Sequence, residues 1–269
     1  MHLIDYFQLR ITTFHFWLEK TSRDFGVEDL HKLRVEIKKL RAFLRFIEEE
    51  GDVGFDRAGH FKLLSTIFKP GGRLRETQMN QSLLKRHRSA NLPDFKSYLD
   101  RRHDKQASRL AASLSALDLT ALQALDEKLM DRLQHVREDE AIHRARSFIR
   151  QELSRIRKLK HTMHDPHDLH QMRTHTKAMG YIVRLLVEIK PSQKLENMLL
   201  SAKSAESLIG NWHDRVVFRN TLIRFLAKNP ESPDRKGIEK LLSQIAYRNG
   251  RSVPIIAERL ERFIHFRIS

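Results

Sequence analysis

One stretch of the sequence places basic side chains at the spacing of a single helix face. Between residues 29 and 48 it reads DLHKLRVEIKKLRAFLRFIE, with a basic residue every three or four positions. On a helix of about 3.6 residues per turn, five of them fall within a sector of roughly 80°: His31, Arg34, Lys38, Arg41 and Arg45. The forked guanidinium of arginine matches phosphate oxygens, and lysine adds a mobile point charge. Because like charges one turn apart repel each other, this face predicts a partner that carries a chain of phosphates.

The same pattern returns 139 residues later, between residues 168 and 188, as DLHQMRTHTKAMGYIVRLLVE. In both stretches an apolar sector lies away from the basic one, so each helix can bury one face and present the other. The recurrence predicts two copies of one structural unit, each with a histidine at the start of its basic face. The aligned pairs are His31 and His170, Arg34 and Arg173, Lys38 and Lys177, and Arg45 and Arg184.

A second element recurs about 40 residues further on, where residues 72–76 (GRLRE) match residues 210–214 (GNWHD). A glycine before a helix start permits a tight turn or a close approach of another backbone. One interpretation is an ordinary helix start whose acids, Glu76 and Asp214, match the helix dipole. The functional interpretation is that Arg75 and His213 join the basic faces while each acid orients its neighbours.

A third group of basic residues precedes the second copy. His143, Arg146, Arg150, Arg157 and His161 share one helix face. A solvated face is the simpler explanation. We favour a flank that extends a basic groove, with Arg150 and Arg157 as binding residues. The corresponding helix of the first copy is far less basic, so such a flank would be asymmetric.

Composition narrows the class of protein. The 269 residues contain 50 Lys and Arg against 34 Asp and Glu, a net charge of +16. This charge favours a polyanionic partner, namely nucleic acid, an anionic membrane or polyphosphate. The chain has no cysteine, which excludes disulfides, thiolate catalysis and cysteine-ligated zinc and fits a reducing cytoplasm. We expect no signal peptide and no membrane insertion, because no apolar run approaches the ~20 residues that span a bilayer.

Helical periodicity runs from end to end, and no segment alternates apolar and polar residues between turn signals. We therefore expect an all-α protein. Glycine and proline predict separate helices on either side of Pro70, of Gly210 and of residues 249–253. The two copies meet near residues 135–140 without a Pro/Gly/Ser-rich linker. We expect units at 1–137 and 138–269 that pack together.

The two recurring elements together resemble the CHAD family, the conserved histidine α-helical domain. Its hallmark is H-x-x-R-x-x-x-[KR]-[KR]-x-R on one helix and Gly-x-x-Arg-Asp two helices later, in two pseudo-symmetric copies. The first copy matches the helix motif in full, at His31, Arg34, Lys38, Lys39 and Arg41.

The second copy departs from the family pattern. It keeps His170, Arg173 and Lys177 but has Ala178 and Gly180 in place of the last two cations, with Tyr181 and Arg184 nearby. In the glycine elements, Glu76 stands where the family has Asp, and His213 stands where it has Arg.

The resemblance implies two helical bundles about a pseudo-twofold axis, with basic residues lining a shared groove or central pore. It also implies non-catalytic binding of inorganic polyphosphate by a stand-alone unit without the triphosphate-hydrolysing CYTH domain, in the cytoplasm or at polyphosphate granules. We expect no cofactor and no metal. The predicted polyphosphate-binding residues are His31, Arg34, Lys38, Lys39, Arg41, Arg45, Arg75, Arg150, Arg157, His170, Arg173, Lys177, Arg184 and His213.

Two other functions stay open at this point. A nucleic-acid-binding helical module fits the charge, although no helix-turn-helix spacing, zinc finger or RNA-recognition motif is present, and weak nucleic-acid binding is compatible with either function. A phosphohydrolase has thin support, because few acids recur near the basic faces.

Residues 161–175 contain five histidines, at 161, 164, 167, 170 and 175, but Pro166 interrupts their helix, and helix capping by Asp165 explains the sequence better than a metal site. The aromatic residues, including Trp212, are assigned to core packing rather than base stacking.

Overall fold

A computed structural model describes residues 2–48, 56–87, 91–159 and 165–265, apart from the side chains of Pro166, Arg262 and Phe263. This part of the chain folds into nine α-helices and contains no strand, which confirms the all-α prediction. Within it, no helix has the length and apolar character needed to cross a bilayer. The helices are α1 (Leu3–Asp24), α2 (Val27–Glu48), α3 (Arg57–Arg86), α4 (Pro93–Ser115), α5 (Leu119–Leu133), α6 (Glu138–Leu159), α7 (Pro166–Ile189), α8 (Gln193–Lys228) and α9 (Arg235–Ile264).

Helices that follow each other in the chain pack side by side. In the first half α1 packs on α2, α2 on α3 and α3 on α4; in the second half α6 packs on α7, α7 on α8 and α8 on α9. The halves meet where α2 contacts α7 and where α3 contacts α8. The two helices with the recurring basic pattern therefore lie against each other. The internal duplication and the boundary near residue 137 remain predictions.

The apolar sectors predicted for α2 and α7 are buried. Leu33, Ile37 and Phe43 of α2 are at most 1% exposed, and Met172 and Met179 of α7 are fully buried. Burial of such side chains contributes about 1.5–3 kcal/mol each relative to exposure. One apolar cluster contains all of these residues and thus joins the two halves. A second cluster joins α4 to α8 and α9, where the Phe95 ring lies 5.3 Å from the Phe225 ring.

The structure corrects three of the predicted helix ends. Helix α3 continues through Pro70, α8 continues through Gly210, and α9 continues through Pro254. Proline removes one intrahelical hydrogen bond, and glycine costs about 1 kcal/mol in a helix interior. Apolar burial beyond each residue outweighs these costs: Leu74 follows Pro70, Trp212 follows Gly210 and Ile256 follows Pro254, and all three are buried.

Other boundaries agree with their sequence signals. The Asp165 side chain accepts a hydrogen bond from the His167 backbone N–H at 2.7 Å, and Pro166 occupies the first turn of α7. Asp118 caps α5 in the same manner, accepting from the Ala121 backbone N–H at 2.8 Å. These caps satisfy donors that the first helical turn leaves free. The predicted helix end at residues 51–52 lies outside the described residues.

Candidate functional site

A cavity of about 430 Å³ lies between α2 and α7 and is bordered by α3 and α8. Cations dominate its wall, and no acidic side chain of the described residues lines it. It therefore carries a concentrated positive potential. Its basic lining residues are Arg34, Lys38, Arg41, Arg45, His170, Arg173, Lys177 and His213. We call it the basic cavity.

Aromatic rings of α3 position two of the arginines. The guanidinium carbon of Arg34 lies 4.3 Å from the centroid of the Phe68 ring, and Arg34 also donates a hydrogen bond to the Phe68 carbonyl. Arg41 lies over Phe61 at 4.6 Å and over Phe68 at 5.0 Å. Cation–π contacts hold a guanidinium without neutralising it. Burial, with Arg75 and Arg41 nearby, lowers the pKa of Arg34 to about 10, so it stays protonated at neutral pH.

The glycines of the two recurring elements lie beside the arginines of the two basic faces. A Cβ atom added at Gly72 would lie 2.9 Å from Arg34 Nη1, and one added at Gly210 would lie 3.5 Å from Arg173 Nη2. A side chain at position 72 would therefore collide with the guanidinium. The glycine thus serves the close approach of Arg34 to α3 rather than a helix break.

The two lysines of the basic cavity have different partners. Lys177 Nζ lies 2.7 Å from a carboxylate oxygen of Glu206 on α8. Lys38 Nζ has no hydrogen bond or ion pair with any described residue. Burial, with Lys177, Arg34 and Arg173 nearby, lowers the pKa of Lys38 to about 6. The pKa of Lys177 is also lowered by burial, against the opposing effect of Glu206.

The histidines separate into two groups. The rings of His170 and His213 lie 4.6 Å apart at the cavity wall, whereas His31 lies outside that wall. Burial, reinforced by His170 and Arg173, lowers the pKa of His213 to about 4. Burial also lowers the pKa values of His31 and His170. All three are therefore neutral at pH 7 in the unbound protein.

One cavity arginine is already engaged by an acid. Arg45 Nη2 lies 2.9 Å from Glu152 Oε1, and its guanidinium carbon lies 5.5 Å from the Phe148 ring. The second carboxylate oxygen of Glu152 lies 2.8 Å from His175 Nδ1, and Arg155 is a further partner. Burial opposes ionisation of Glu152, but His175 and the two arginines hold its pKa below the ordinary value. Arg45 thus has less positive charge to offer a ligand than Arg34 or Arg41.

The remaining predicted binding residues lie elsewhere. Lys39 Nζ is 2.8 Å from Glu36 Oε2, and that buried carboxylate also pairs with Arg10 at 2.9 Å. Arg157 donates to the carbonyl of Ile264 at 2.6 Å, while Arg150 and Arg184 are exposed. None of these lines the basic cavity, nor does His31. Their roles in binding remain predictions.

Arg75 faces a second cavity of about 470 Å³, between α3, α8 and α9. It donates a hydrogen bond to the Val27 carbonyl at 3.1 Å. Asp214 lines the same cavity, so neighbouring residues of α8 face different spaces: His213 the basic cavity and Asp214 the second one. The sequence analysis missed the other arginines of this second cavity, which are Arg86, Arg215 and Arg248.

Sequence reasoning also missed Phe61 and Phe68 as parts of the site. They lie seven residues apart, two turns along one face of α3, and this apolar spacing was attributed to core packing. Trp212 is 5% exposed and packs in the core, as expected. Of the five histidines between 161 and 175, those at 161 and 164 lie outside the described residues. Elsewhere in the structure, no three His, Asp or Glu side chains are grouped to hold a metal ion.

Comparison with known proteins agrees with this architecture. The family model described as the CHAD domain matches residues 5–223 of the chain. The crystal structure of the CHAD domain from the plant Ricinus communis aligns with a TM-score of 0.73 over 95% of this chain and 89% of that one. The sequences are 16% identical over this alignment, so the likeness shows a shared fold. No curated protein matches the sequence.

Proposed function

The chain belongs to the CHAD domain family, and on that premise we propose that it binds inorganic polyphosphate in the basic cavity without chemical change. One observation carries the proposal: cations of α2 and α7 converge on a cavity that no described acidic side chain lines. Arg34, Arg41 and Arg173 offer guanidinium forks, and the lysines add point charges. Binding releases counterions from the polyanion, which favours association entropically.

The aromatic groups of the site favour polyphosphate over nucleic acid. Single-stranded nucleic acid is bound by stacking its bases on open aromatic faces. In the basic cavity, Arg34 and Arg41 lie over the rings of Phe61 and Phe68. Trp212 is buried in the core. The site therefore offers charge for phosphates but few free surfaces for bases.

The placement of the acids favours binding over hydrolysis. A metal-assisted phosphohydrolase needs carboxylates that hold the metal beside the reacting phosphate. Glu206 is paired with Lys177, Asp214 lines the second cavity, and Glu76 pairs with Arg102 at 3.0 Å. Purified protein should therefore release no phosphate from polyphosphate in the presence of Mg²⁺. Sustained release would instead support the phosphohydrolase.

Calorimetry with polyphosphate of defined length tests the location of the site. The double variant Arg41→Gln/Arg173→Gln removes one guanidinium from each side of the basic cavity. The control Arg101→Gln/Arg219→Gln removes the same charge from two exposed positions that line neither cavity. We expect the first pair to lower affinity more than about 30-fold, and the second less than about threefold. Equal losses of affinity in the two double variants would mean that binding depends on overall surface charge and not on the basic cavity.

Competition with transfer RNA at equal phosphate concentration tests the class of ligand. We expect polyphosphate binding to persist, since the cavity admits a bare phosphate chain more readily than a folded nucleic acid. Both ligands should lose affinity as salt rises, because each releases counterions. If transfer RNA displaces polyphosphate at equal phosphate concentration, the nucleic-acid-binding alternative takes precedence.

A further inference from the structure

Among the lysines that the structure describes, Lys38 combines burial and like-charged neighbours with the absence of a paired acid. It lines the basic cavity, and no described residue makes a hydrogen bond or ion pair with its amine. Lys177, which faces the same cavity, has Glu206 at 2.7 Å. The cavity therefore contains one amine that is paired with a carboxylate and one that has no such pair.

The surroundings of Lys38 favour the neutral amine. Burial is the main cause, and the neighbouring cations add to it, so that its pKa falls to about 6. At pH 7.5 most Lys38 side chains are therefore unprotonated, whereas an exposed lysine is almost wholly protonated. A neutral amine is a nucleophile. The charged and titratable groups that act on Lys38 are His31 and Arg34 on α2, His170, Arg173 and Lys177 on α7, and Glu206 and Asp214 on α8.

The same cavity offers a place for the phosphate of a reactive molecule. Arg34 and Arg173 line it beside Lys38, and Arg173 Nε is buried without a hydrogen-bond partner in the described structure. An acyl phosphate carries a phosphate group next to an electrophilic carbonyl carbon. Guanidinium groups that bind this phosphate would hold the carbonyl close to the amine, and proximity of this kind accelerates a bimolecular step strongly.

We propose that Lys38 is a modification site at which acyl phosphates acylate the amine, and that this acylation switches polyphosphate binding off. The Nζ lone pair forms a bond to the carbonyl carbon, and the bond from that carbon to the phosphate oxygen breaks. Phosphate leaves with the electron pair and takes the proton that nitrogen loses. The products are an amide and hydrogen phosphate. The proposal rests on the proposed function, because it uses the same phosphate-binding arginines.

Acylation would oppose polyphosphate binding in two ways. The amide cannot be protonated, so Lys38 can no longer become an ammonium ion beside a bound phosphate. The acyl group also occupies part of a cavity of about 430 Å³. Lys177 should react more slowly, because its amine is paired with Glu206 at 2.7 Å and is less available to attack a carbonyl carbon.

Acetyl phosphate is the probe, with acetylation of each lysine followed by mass spectrometry between pH 6.5 and 8.5. We expect Lys38 to react at least about tenfold faster at pH 7.5 than the exposed Lys32 and Lys236, at a rate nearly independent of pH above 7. The exposed lysines should react about tenfold faster per pH unit. Equal rates for Lys38 and Lys32, or the same pH profile, would overturn the proposal.

A second reagent distinguishes binding of the reagent's phosphate from the intrinsic reactivity of the Lys38 amine. Acetic anhydride lacks a phosphate, so at pH 8.5 Arg173→Gln should slow acetylation of Lys38 by acetyl phosphate about tenfold or more. Acetylation by the anhydride should slow less than about twofold, because the variant loses only one of the cations that lower the pKa of Lys38. The control Arg219→Gln should affect neither. Equal slowing with both reagents would mean that Arg173 does not hold the phosphate of the reagent.

The two proposals fail in distinguishable ways. Acetylation should lower the polyphosphate affinity of the wild type at least about fivefold and lower that of Lys38→Gln no further. If Lys38 is acetylated selectively but the unmodified protein binds no polyphosphate, the proposed function is wrong. If polyphosphate binds and Lys38 reacts no faster than exposed lysines, the modification site is wrong and the proposed function stands.

Discussion

Helices α2 and α7 carry the same spacing of basic residues, yet the structure uses them differently. Arg34 and Arg41 of α2 lie over aromatic rings of α3, which hold them and leave their charge intact. Lys177 of α7 is paired with Glu206 of α8, whose negative charge partly offsets that of the lysine. Conversely, His170 of α7 lines the cavity whereas His31 of α2 does not. The first face provides most of the unpaired positive charge, and the second provides Arg173, one histidine and a paired lysine.

The partner helices explain the difference. Phe68 precedes Gly72 by four residues on α3, and Glu206 precedes Gly210 by four residues on α8. Corresponding positions therefore hold a phenylalanine in one half and a glutamate in the other. Each contacts the basic face opposite, and the two contacts have opposite electrostatic consequences. A shared motif thus determines where the cations lie, while the partner residue determines how much charge they offer.

The largest expected effect concerns the two lysines. Lys38→Met should stabilise the protein at pH 7.5, because folding of the wild-type protein has to deprotonate the Lys38 amine or bury it without a partner. The folded pKa of about 6 lies below the unfolded value, so the unfolded state binds more protons between pH 6 and about 10.5 and stability rises with pH there. Three pH units separate 7.5 from 10.5, and each corresponds to about 1.4 kcal/mol. The gain in unfolding free energy from Lys38→Met at pH 7.5 is therefore at most about 4 kcal/mol.

Chemical denaturation at pH 7.5 and 9.5 measures this effect, and the gain from Lys38→Met should shrink at the higher pH. Lys177→Met is the matched variant. It should destabilise the protein, since Glu206 loses its partner. Stabilisation by both substitutions, or by neither, would remove the distinction between the two lysines.

The next effect tests whether the residue at the corresponding position of α3 and α8 determines the available charge. Phe68→Glu places the acid of α8 on α3, beside Arg34 and Arg41. The carboxylate should compete with phosphate for both arginines and lower polyphosphate affinity about 100-fold in calorimetry. Phe68→Leu removes the ring without adding charge and should lower polyphosphate affinity only several-fold. If the two variants weaken binding equally, the loss of the aromatic ring accounts for the whole effect.

The recurring glycines allow a smaller and more local test. Gly72→Ala should lower polyphosphate affinity about fivefold, because the new methyl group displaces the Arg34 guanidinium from its place against α3. Gly210→Ala adds a methyl group at ordinary contact distance from Arg173 and should change affinity less than about twofold. The control is a thermal unfolding curve for each variant. A larger loss for Gly210→Ala would contradict the proposed difference between the two arginines.

Removal of the acid on α8 should have the opposite sign. Glu206→Gln should raise polyphosphate affinity about threefold, because the carboxylate that offsets the charge of Lys177 is lost. Glu76→Gln is the control, since Glu76 is paired with Arg102 and Arg224 away from the basic cavity. Lower affinity of Glu206→Gln would show that the carboxylate is needed to position Lys177.

The smallest effect concerns the histidines. If His31 and His170 protonated near the ordinary histidine value of about 6.5, binding would strengthen as pH falls from about 8 to 6. Burial lowers the pKa values of His31 and His170, and that of His213 to about 4, so protonation is shifted to lower pH in the unbound protein. Calorimetry of His170→Gln between pH 8 and 6.5 should therefore differ from wild type less than about twofold. If the affinity of His170→Gln falls further below that of wild type as pH drops from 8 to 6.5, His170 carries a charge that contributes to binding.

The sequence predicted the elements of the site better than the state of its side chains. Periodicity identified α2 and α7 and their buried faces, because a single helix determines which residues share a face. It could not show that Pro70 and Gly210 lie inside helices, since packing against other helices outweighs a local preference. Nor could it separate Lys38 from Lys177, because their difference depends on Glu206, which lies 29 residues beyond Lys177 in the chain.

The absence of a described acid from the wall of the basic cavity has a consequence for the lifetime of the protein in a cell. Like charges held together around an empty cavity make the unbound fold less stable, and a polyanion in that space relieves their repulsion. Proteases act on the unfolded fraction, which shrinks as bound ligand stabilises the fold. The amount of this protein would therefore follow the supply of its ligand, even at a constant rate of synthesis.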